Sequence, residues 1–169
     1  ERSQAPTQWT GLKFFNVYGP NEAHKGTMKS VVAQIWPKVA ADESVTLFRS
    51  HRPDYADGGQ MRDFVFVDDV VDIIIWLLET PSVSGIYNAG SGQARSFADL
   101  ARATFAAAGK EARIDYVDTP EVIRDKYQYF TEARMDRIRA AGFAGQSTPL
   151  EEGVRRYVQD YLATPDPYR

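Results

Sequence analysis

Cysteine is absent from this chain, which excludes disulfides and thiolate metal sites and suits a reducing compartment. Histidine occurs only at His24 and His51, far apart and without a carboxylate or cysteine at metal-ligand spacing, so no metal centre is expected. Long apolar runs are missing as well. The best candidate, residues 70–78, falls short of the ~18 residues that span a bilayer and contains Asp72. The net charge is only −3 and the basic residues form no block, which argues against nucleic-acid and membrane partners and leaves any anionic ligand to a few placed cations. The polar first ten residues carry no signal-peptide pattern, and a soluble cytoplasmic protein is the expectation. There is no Gly-x-Ser-x-Gly elbow. Gly90-Ser91-Gly92 is too short, and lies too late, to be a dinucleotide fingerprint and reads as a turn.

With 169 residues, 43% of them hydrophobic, the chain can build one compact core. Residues 12–18 form an apolar run with little alternation, expected to be a strand buried on both faces and stopped by Gly19-Pro20. A polar loop over 21–27 precedes a helix over 28–41, with Val31, Val32, Ile35 and Val39 on one side and Pro37 expected to kink or end it. Residues 45–48 read as a short strand, 49–61 as an irregular loop, and 63–67 as extended again. Asp68 or Asp69 is the expected cap of a helix through Leu78, apolar nearly all round and therefore buried.

Further strands are expected at 85–89 and 114–117. A helix opens with a capping box from Ser96 and Asp99, short helices fall at 121–125 and at 132–141 before Gly142, and a last one follows Pro149. The tail from Thr164 reads as loose. Strands and helices alternate without repeats, which makes the class α/β.

Several residues invite a functional reading, each beside a plainer one. Asn16, at the end of an apolar strand, either faces a ligand or bonds its own backbone in a turn. Lys25, between His24 and Gly26, is either solvated or held in a cleft, where it serves as a general acid or base or grips a phosphate. Arg62, beside the strand at 63–67, offers a fork of donors suited to a diphosphate, or else pairs with Asp63 or Asp68. Arg49 and Arg52 either close over a ligand or are surface charge. Tyr127 presents a hydroxyl or a ring to a sugar or base, whereas Tyr129 and Phe130 read as a small satellite core.

Taken together, Phe14-Phe15-Asn16-Val17-Tyr18-Gly19-Pro20, then His24-Lys25-Gly26-Thr27-Met28, then the stretch from Arg62 to Val70, resemble the extended short-chain dehydrogenase/reductases that act on nucleotide sugars. Glu22-Ala23-His24-Lys25-Gly26, the run from Ser84 to Phe97 and the run from Lys126 to Thr131 resemble, within them, the ADP-L-glycero-D-manno-heptose 6-epimerase family. The likeness extends from Leu12 to Leu162.

The resemblance implies NADP as cofactor, an ADP-heptose substrate inverted at C6 for the lipopolysaccharide core, and a homo-oligomer. It implies a catalytic proton acceptor in Lys25, which also touches the cofactor as Val17 does. Asn16, Thr27, Gln34, Phe48, Arg49, Ser50, His51, Arg62 and Tyr127 would meet the substrate. Thr27 keeps a hydroxyl where relatives have serine. Gln34 stands where some relatives have a histidine, so it can hydrogen-bond but not titrate. The loop over 49–61 is longer than in those relatives.

The glycine-rich turn and the Tyr-x-x-x-Lys pair of this superfamily occur nowhere in the sequence, and residue 1 is glutamate. The expectation is therefore that residues 1–169 are the C-terminal portion of such an enzyme: the last elements of a doubly wound Rossmann-type sheet plus a small α/β substrate domain. Such a chain, alone, would neither hold NADP tightly nor turn over. The alternatives are another nucleotide-sugar epimerase or dehydratase, and a non-catalytic sugar-nucleotide-binding module.

Overall fold

A computed structural model describes residues 6–166. In chain order the elements are β1 (Thr10–Phe14), β2 (Asn16–Tyr18), a 3-10 turn (Ala23–Met28), α1 (Val31–Ala40), β3 (Val45–Phe48), β4 (Met61–Phe66), α2 (Val67–Glu79), β5 (Gly85–Ala89) and β6 (Ala94–Ser96). They continue with α3 (Phe97–Ala107), β7 (Ile114–Val117), α4 (Glu121–Arg124), α5 (Asp136–Ala140), α6 (Leu150–Tyr157) and a π-helical turn (Val158–Leu162).

The expected single strand over 12–18 is two. β1 runs parallel to β5, with Leu12 opposite Tyr87, whereas β2 runs parallel to β4, with Asn16 opposite Phe64. Phe15 is the fork: its N–H still donates to Ala89 O at 3.1 Å, and its carbonyl accepts from Val17 N–H at 2.8 Å. The backbone therefore leaves one neighbour for another where Asn16 begins. Diverging parallel strands open a crevice at their carboxyl ends, the place where α/β sheets take ligands.

Burial of this strand on both faces is not observed, since Lys13, Phe14 and Asn16 are exposed. Each half has one strand neighbour.

The remaining strands complete a mixed arrangement. β6 closes antiparallel on β4, and β3 pairs in parallel with β7 away from the others. Three apolar clusters hold the layers. One, under β1 and β5, joins Ile73 and Leu77 of α2 to Tyr87, Ile138 and Phe143. The central one joins Tyr18, Phe64 and Phe66 to Leu100, Val154 and Tyr157. The third packs Ile35 and Val39 of α1 and Phe105 of α3 over Val45 and Leu47.

Several expectations change in detail. α1 begins at Val31 because Ser30 caps it, its side chain accepting from Ala33 N–H, and residues before it wind as the 3-10 turn. Pro37 does not end α1, which runs on to Ala40; it lies on the exposed side and removes one ladder bond. Neither Asp68 nor Asp69 caps α2, whose N-cap is Phe66 without a side-chain bond. Asp69 instead accepts from the N–H and hydroxyl of Thr148 at 2.9 and 2.6 Å, and Asp68 pairs with Arg156 at 2.6 Å. α2 is not buried all round, because Val71, Ile74, Ile75 and Leu78 face out. The helix expected over 132–141 starts only at Asp136, since Ala133 is drawn to Asp63 instead. The capping box of Ser96 and Asp99 is present.

α6 lies so close to β2 and β4 that only glycine fits at its contact point. A Cβ on Gly153 would collide with the Tyr18 hydroxyl and stand 3.1 Å from Tyr18 Cζ and 3.3 Å from Phe66 Cβ. Tyr18 is buried and its hydroxyl donates to Leu150 O, so it cannot swing away. Overpacking of this kind costs about 2 kcal/mol. Gly153→Ala is expected to lower the thermal midpoint by roughly 4–8 °C, and adding Tyr18→Phe should recover part of that loss. Equal midpoints for Gly153→Ala and the parent would refute the contact.

Candidate functional site

The crevice at the β1–β2 fork is bounded by the segment that follows β2. After β2 the chain enters residues 19–30, which carry Lys25. The 3-10 turn is tied at its base, Lys25 N–H donating to Glu22 O at 3.0 Å. Gln34 of α1 reaches back and donates to Thr27 O at 3.3 Å and Lys29 O at 2.7 Å. Asn16, Val17, Tyr18, Glu22 and Lys25 line one cavity of about 320 Å³, floored by Phe64 and Leu100. Asn16, Val17 and Lys25 thus border the same cavity. Thr27 lies exposed on the turn beside this cavity, not among its lining residues.

Asn16 also lines a second, shallower hollow of about 470 Å³ with Lys13, Phe15, Arg62, Gln128 and Thr131. Here the plainer reading of Arg62 fails. Its guanidinium pairs with neither Asp63 nor Asp68; among the described residues it has no carboxylate within 4.0 Å. Nη1 donates to Met61 O at 2.8 Å, and the planar group sits over the rings of Tyr127 at 5.5 Å and Phe97 at 5.6 Å. Burial pushes the Arg62 pKa down and the Tyr127 phenol up, the latter against the pull of Arg62. A half-buried arginine stacked on rings, with donors to spare, has the chemistry to receive an anion.

Tyr127 is brought there by backbone pairing. Met61 N–H donates to Tyr129 O at 2.8 Å and Thr131 N–H to Met61 O at 3.3 Å, clipping residues 129–131 along the start of β4. On its other side Tyr127 meets Phe48 edge-on at 6.0 Å. These two rings, with Gln34, Leu47, Gln60 and Phe97, line a mainly apolar cavity of about 330 Å³. It can take a planar or hydrophobic group.

Arg49, Ser50 and His51 are not among the lining residues of these cavities and are engaged by their own loop and by Asp118 and Tyr129. Arg49 meets Asp57 and Asp118, both at 3.8 Å. Ser50 N–H donates to Asp57 at 2.8 Å and its hydroxyl to Arg52 O at 2.8 Å. The His51 ring meets the Tyr129 hydroxyl at 3.0 Å. Arg52, bonded to Asp54, lies over Tyr55 and Tyr129.

Three residues of the neighbourhood escaped the sequence reading. Lys13 alternates outward from β1 into the hollow of Arg62, a signal that strand periodicity could have supplied. Glu22 and Asp63 are buried carboxylates, 3% and 0% exposed, that hold loops rather than ligands. No local pattern marks a buried acid whose donors come from distant residues.

A nicotinamide cofactor can be tested against these residues. The Val17 backbone, Asn16 and Lys25 could meet one end of it. The sequence offers no glycine-rich dinucleotide turn for its pyrophosphate.

Comparison with known proteins gives the family and the fold. The NAD dependent epimerase/dehydratase family profile matches residues 2–90. An ADP-L-glycero-D-manno-heptose-6-epimerase from Nitratidesulfovibrio vulgaris strain DP4 is 53% identical over 93% of this chain and 49% of its own length. Among solved structures, the Helicobacter pylori ADP-L-glycero-D-manno-heptose-6-epimerase superposes with a TM-score of 0.73 at 28% identity, covering 90% of this chain and 44% of that one. Thermus thermophilus UDP-glucose 4-epimerase in complex with NAD gives 0.66 at 27% identity, covering 88% and 44%. The chain spans about half the length of the curated relatives it matches. Among the described residues no helix is long and apolar enough to cross a membrane.

Proposed function

Because this chain belongs to the NAD dependent epimerase/dehydratase family, we propose that it supplies the sugar-facing half of an enzyme that inverts C6 of ADP-D-glycero-D-manno-heptose to the L-glycero form with NADP. Residues 1–169 would be the C-terminal portion of that enzyme, mainly its substrate domain with the last Rossmann elements. The observation that carries the reading is Arg62: without a carboxylate partner among the described residues, it is stacked on Tyr127 and Phe97, which line the apolar cavity of Phe48 and Gln34, and it shares a hollow with Asn16, which also lines the cavity of Lys25. A sugar nucleotide has the matching order of groups: a polyol, a diphosphate and a flat base.

The cofactor, when bound, supplies hydride removal and return. This chain's residues would do the rest. Arg62 would hold the diphosphate, with Lys13 adding charge, and Asn16 would hydrogen-bond a sugar hydroxyl. Lys25 would move the proton that accompanies hydride transfer at one face of the carbon. Thr27, Gln34 and Tyr127 would border the sugar and base; Arg49, Ser50 and His51 could join only if their loop rearranged.

The test joins the chain to the upstream half of a heptose-epimerase relative and follows C6 inversion of ADP-heptose with NADP or NAD. We expect inversion by the joined protein and none by residues 1–169 alone. Binding of ADP-heptose without inversion would instead favour a non-catalytic module. Turnover of a UDP-hexose but not of ADP-heptose would favour another epimerase of the family.

A further inference from the structure

The loop that carries Lys25 is fastened by an acid that the reaction itself does not call for. Glu22 is 3% exposed, and among the described residues no cation pairs with it. Its Oε2 accepts from Ser30 N–H at 2.6 Å; its Oε1 accepts from the Ser30 hydroxyl at 2.5 Å and from the Tyr157 hydroxyl at 2.9 Å. Its own carbonyl accepts from Lys25 N–H at 3.0 Å. One residue therefore closes residues 22–30 at both ends and fixes the closure to α6, far along the chain. Ser30 also caps α1, so the same contact sets the start of the helix that carries Gln34.

A carboxylate buried among neutral donors is held at the cost of desolvation, and hydroxyl and amide donors only partly offset that cost. A surface loop does not need such a device to be folded; a loop that must present one ammonium group at a set place does. We propose that Glu22 is the positioning residue of the lysine loop, acting through Ser30 and Tyr157 to set where Lys25 meets the sugar. This rests on the reading of Lys25 given above, but the clamp itself can be tested without it.

Two measurements keep the questions separate. In residues 1–169, Glu22→Ala is expected to raise amide exchange across residues 23–29 at least ~10-fold while β4 and α3 stay protected, and Glu22→Gln, which keeps the shape and a hydrogen-bonding head, should stay within about threefold. In the joined protein, Glu22→Ala should lower kcat by roughly 10–100-fold with KM changed less than about twofold, and Glu22→Gln should restore most of it. Tyr157→Phe, which removes one donor only, serves if Glu22→Ala does not fold, with about threefold faster loop exchange expected. Unchanged exchange in the loop would overturn the clamp, and so would a loosened loop with unchanged kcat. If the parent joined protein shows no inversion, the proposed function fails and the exchange measurement still decides the clamp.

Discussion

Replacing Lys25 by methionine in the joined, complete protein is expected to lower the rate of C6 inversion by about 10²–10⁴-fold, the range for loss of a positioned acid or base. Affinity for the nucleotide sugar should change little. The reason lies in how the cavities divide the work. Arg62 and the aromatic pair of Phe97 and Tyr127 stand at one side, where a diphosphate and a base would be held. Lys25 lines the other cavity with Asn16 and the Val17 backbone. Methionine approximates the length of the lysine stem, so the Glu22 and Gln34 ties of the loop are left as they are. A fall in kcat with Kd held is the pattern of a group used in the transition state; a rise in KM with kcat held would make Lys25 a binding residue. Turnover equal to the parent's would return Lys25 to the solvated reading.

Much of the fold could be read in the residues because its signals are local. The capping box of Ser96 and Asp99 lies within one turn of helix, and the strand at Val45–Phe48 needs only its own alternation and flanking turns. Asn16 could be nominated from its place at the end of an apolar run, and Tyr127 from the aromatic cluster that follows an irregular stretch. What escaped was set by pairing between distant segments. The fork at Phe15 depends on whether β5 or β4 is the neighbour, which no periodicity within 12–18 reveals. The exposure of Ile74 and Leu78 depends on what packs against α2, and an apolar helix reads the same either way. Arg62 was open between pairing and binding because adjacent acids in sequence look like partners; the strand turns Asp63 to the opposite face.

That opposite face gives the largest expected loss of stability. Asp63 is 0% exposed, and its two oxygens divide four donors: Oδ1 accepts from Ser91 N–H and the Ser91 hydroxyl, both at 2.7 Å, and Oδ2 from Gly92 N–H and Ala133 N–H, both at 2.9 Å. The Gly90-Ser91-Gly92 turn is thereby wrapped on the carboxylate, so tightly that a Cβ on Gly90 would lie 3.0 Å from Oδ2 and 2.5 Å from Ala133 Cβ. Asp63→Ala strips the acceptor from all four donors at once. Bonds to a charged acceptor contribute ~1.5–3 kcal/mol each, and donors that reach water recover part of the loss, so a net cost of about 4 kcal/mol is expected. For a chain of this size that is a fall of roughly 8–16 °C in thermal midpoint.

Asp63→Asn should not rescue it. An amide keeps one acceptor oxygen, but its NH₂ would face either the two backbone N–H groups or the Ser91 N–H, and about half of the loss should remain. Denaturant titration of the three chains decides the matter. A shift below ~1 kcal/mol for Asp63→Ala would mean that water replaces the carboxylate without penalty, and the turn after β5 would then owe its shape to its glycines alone.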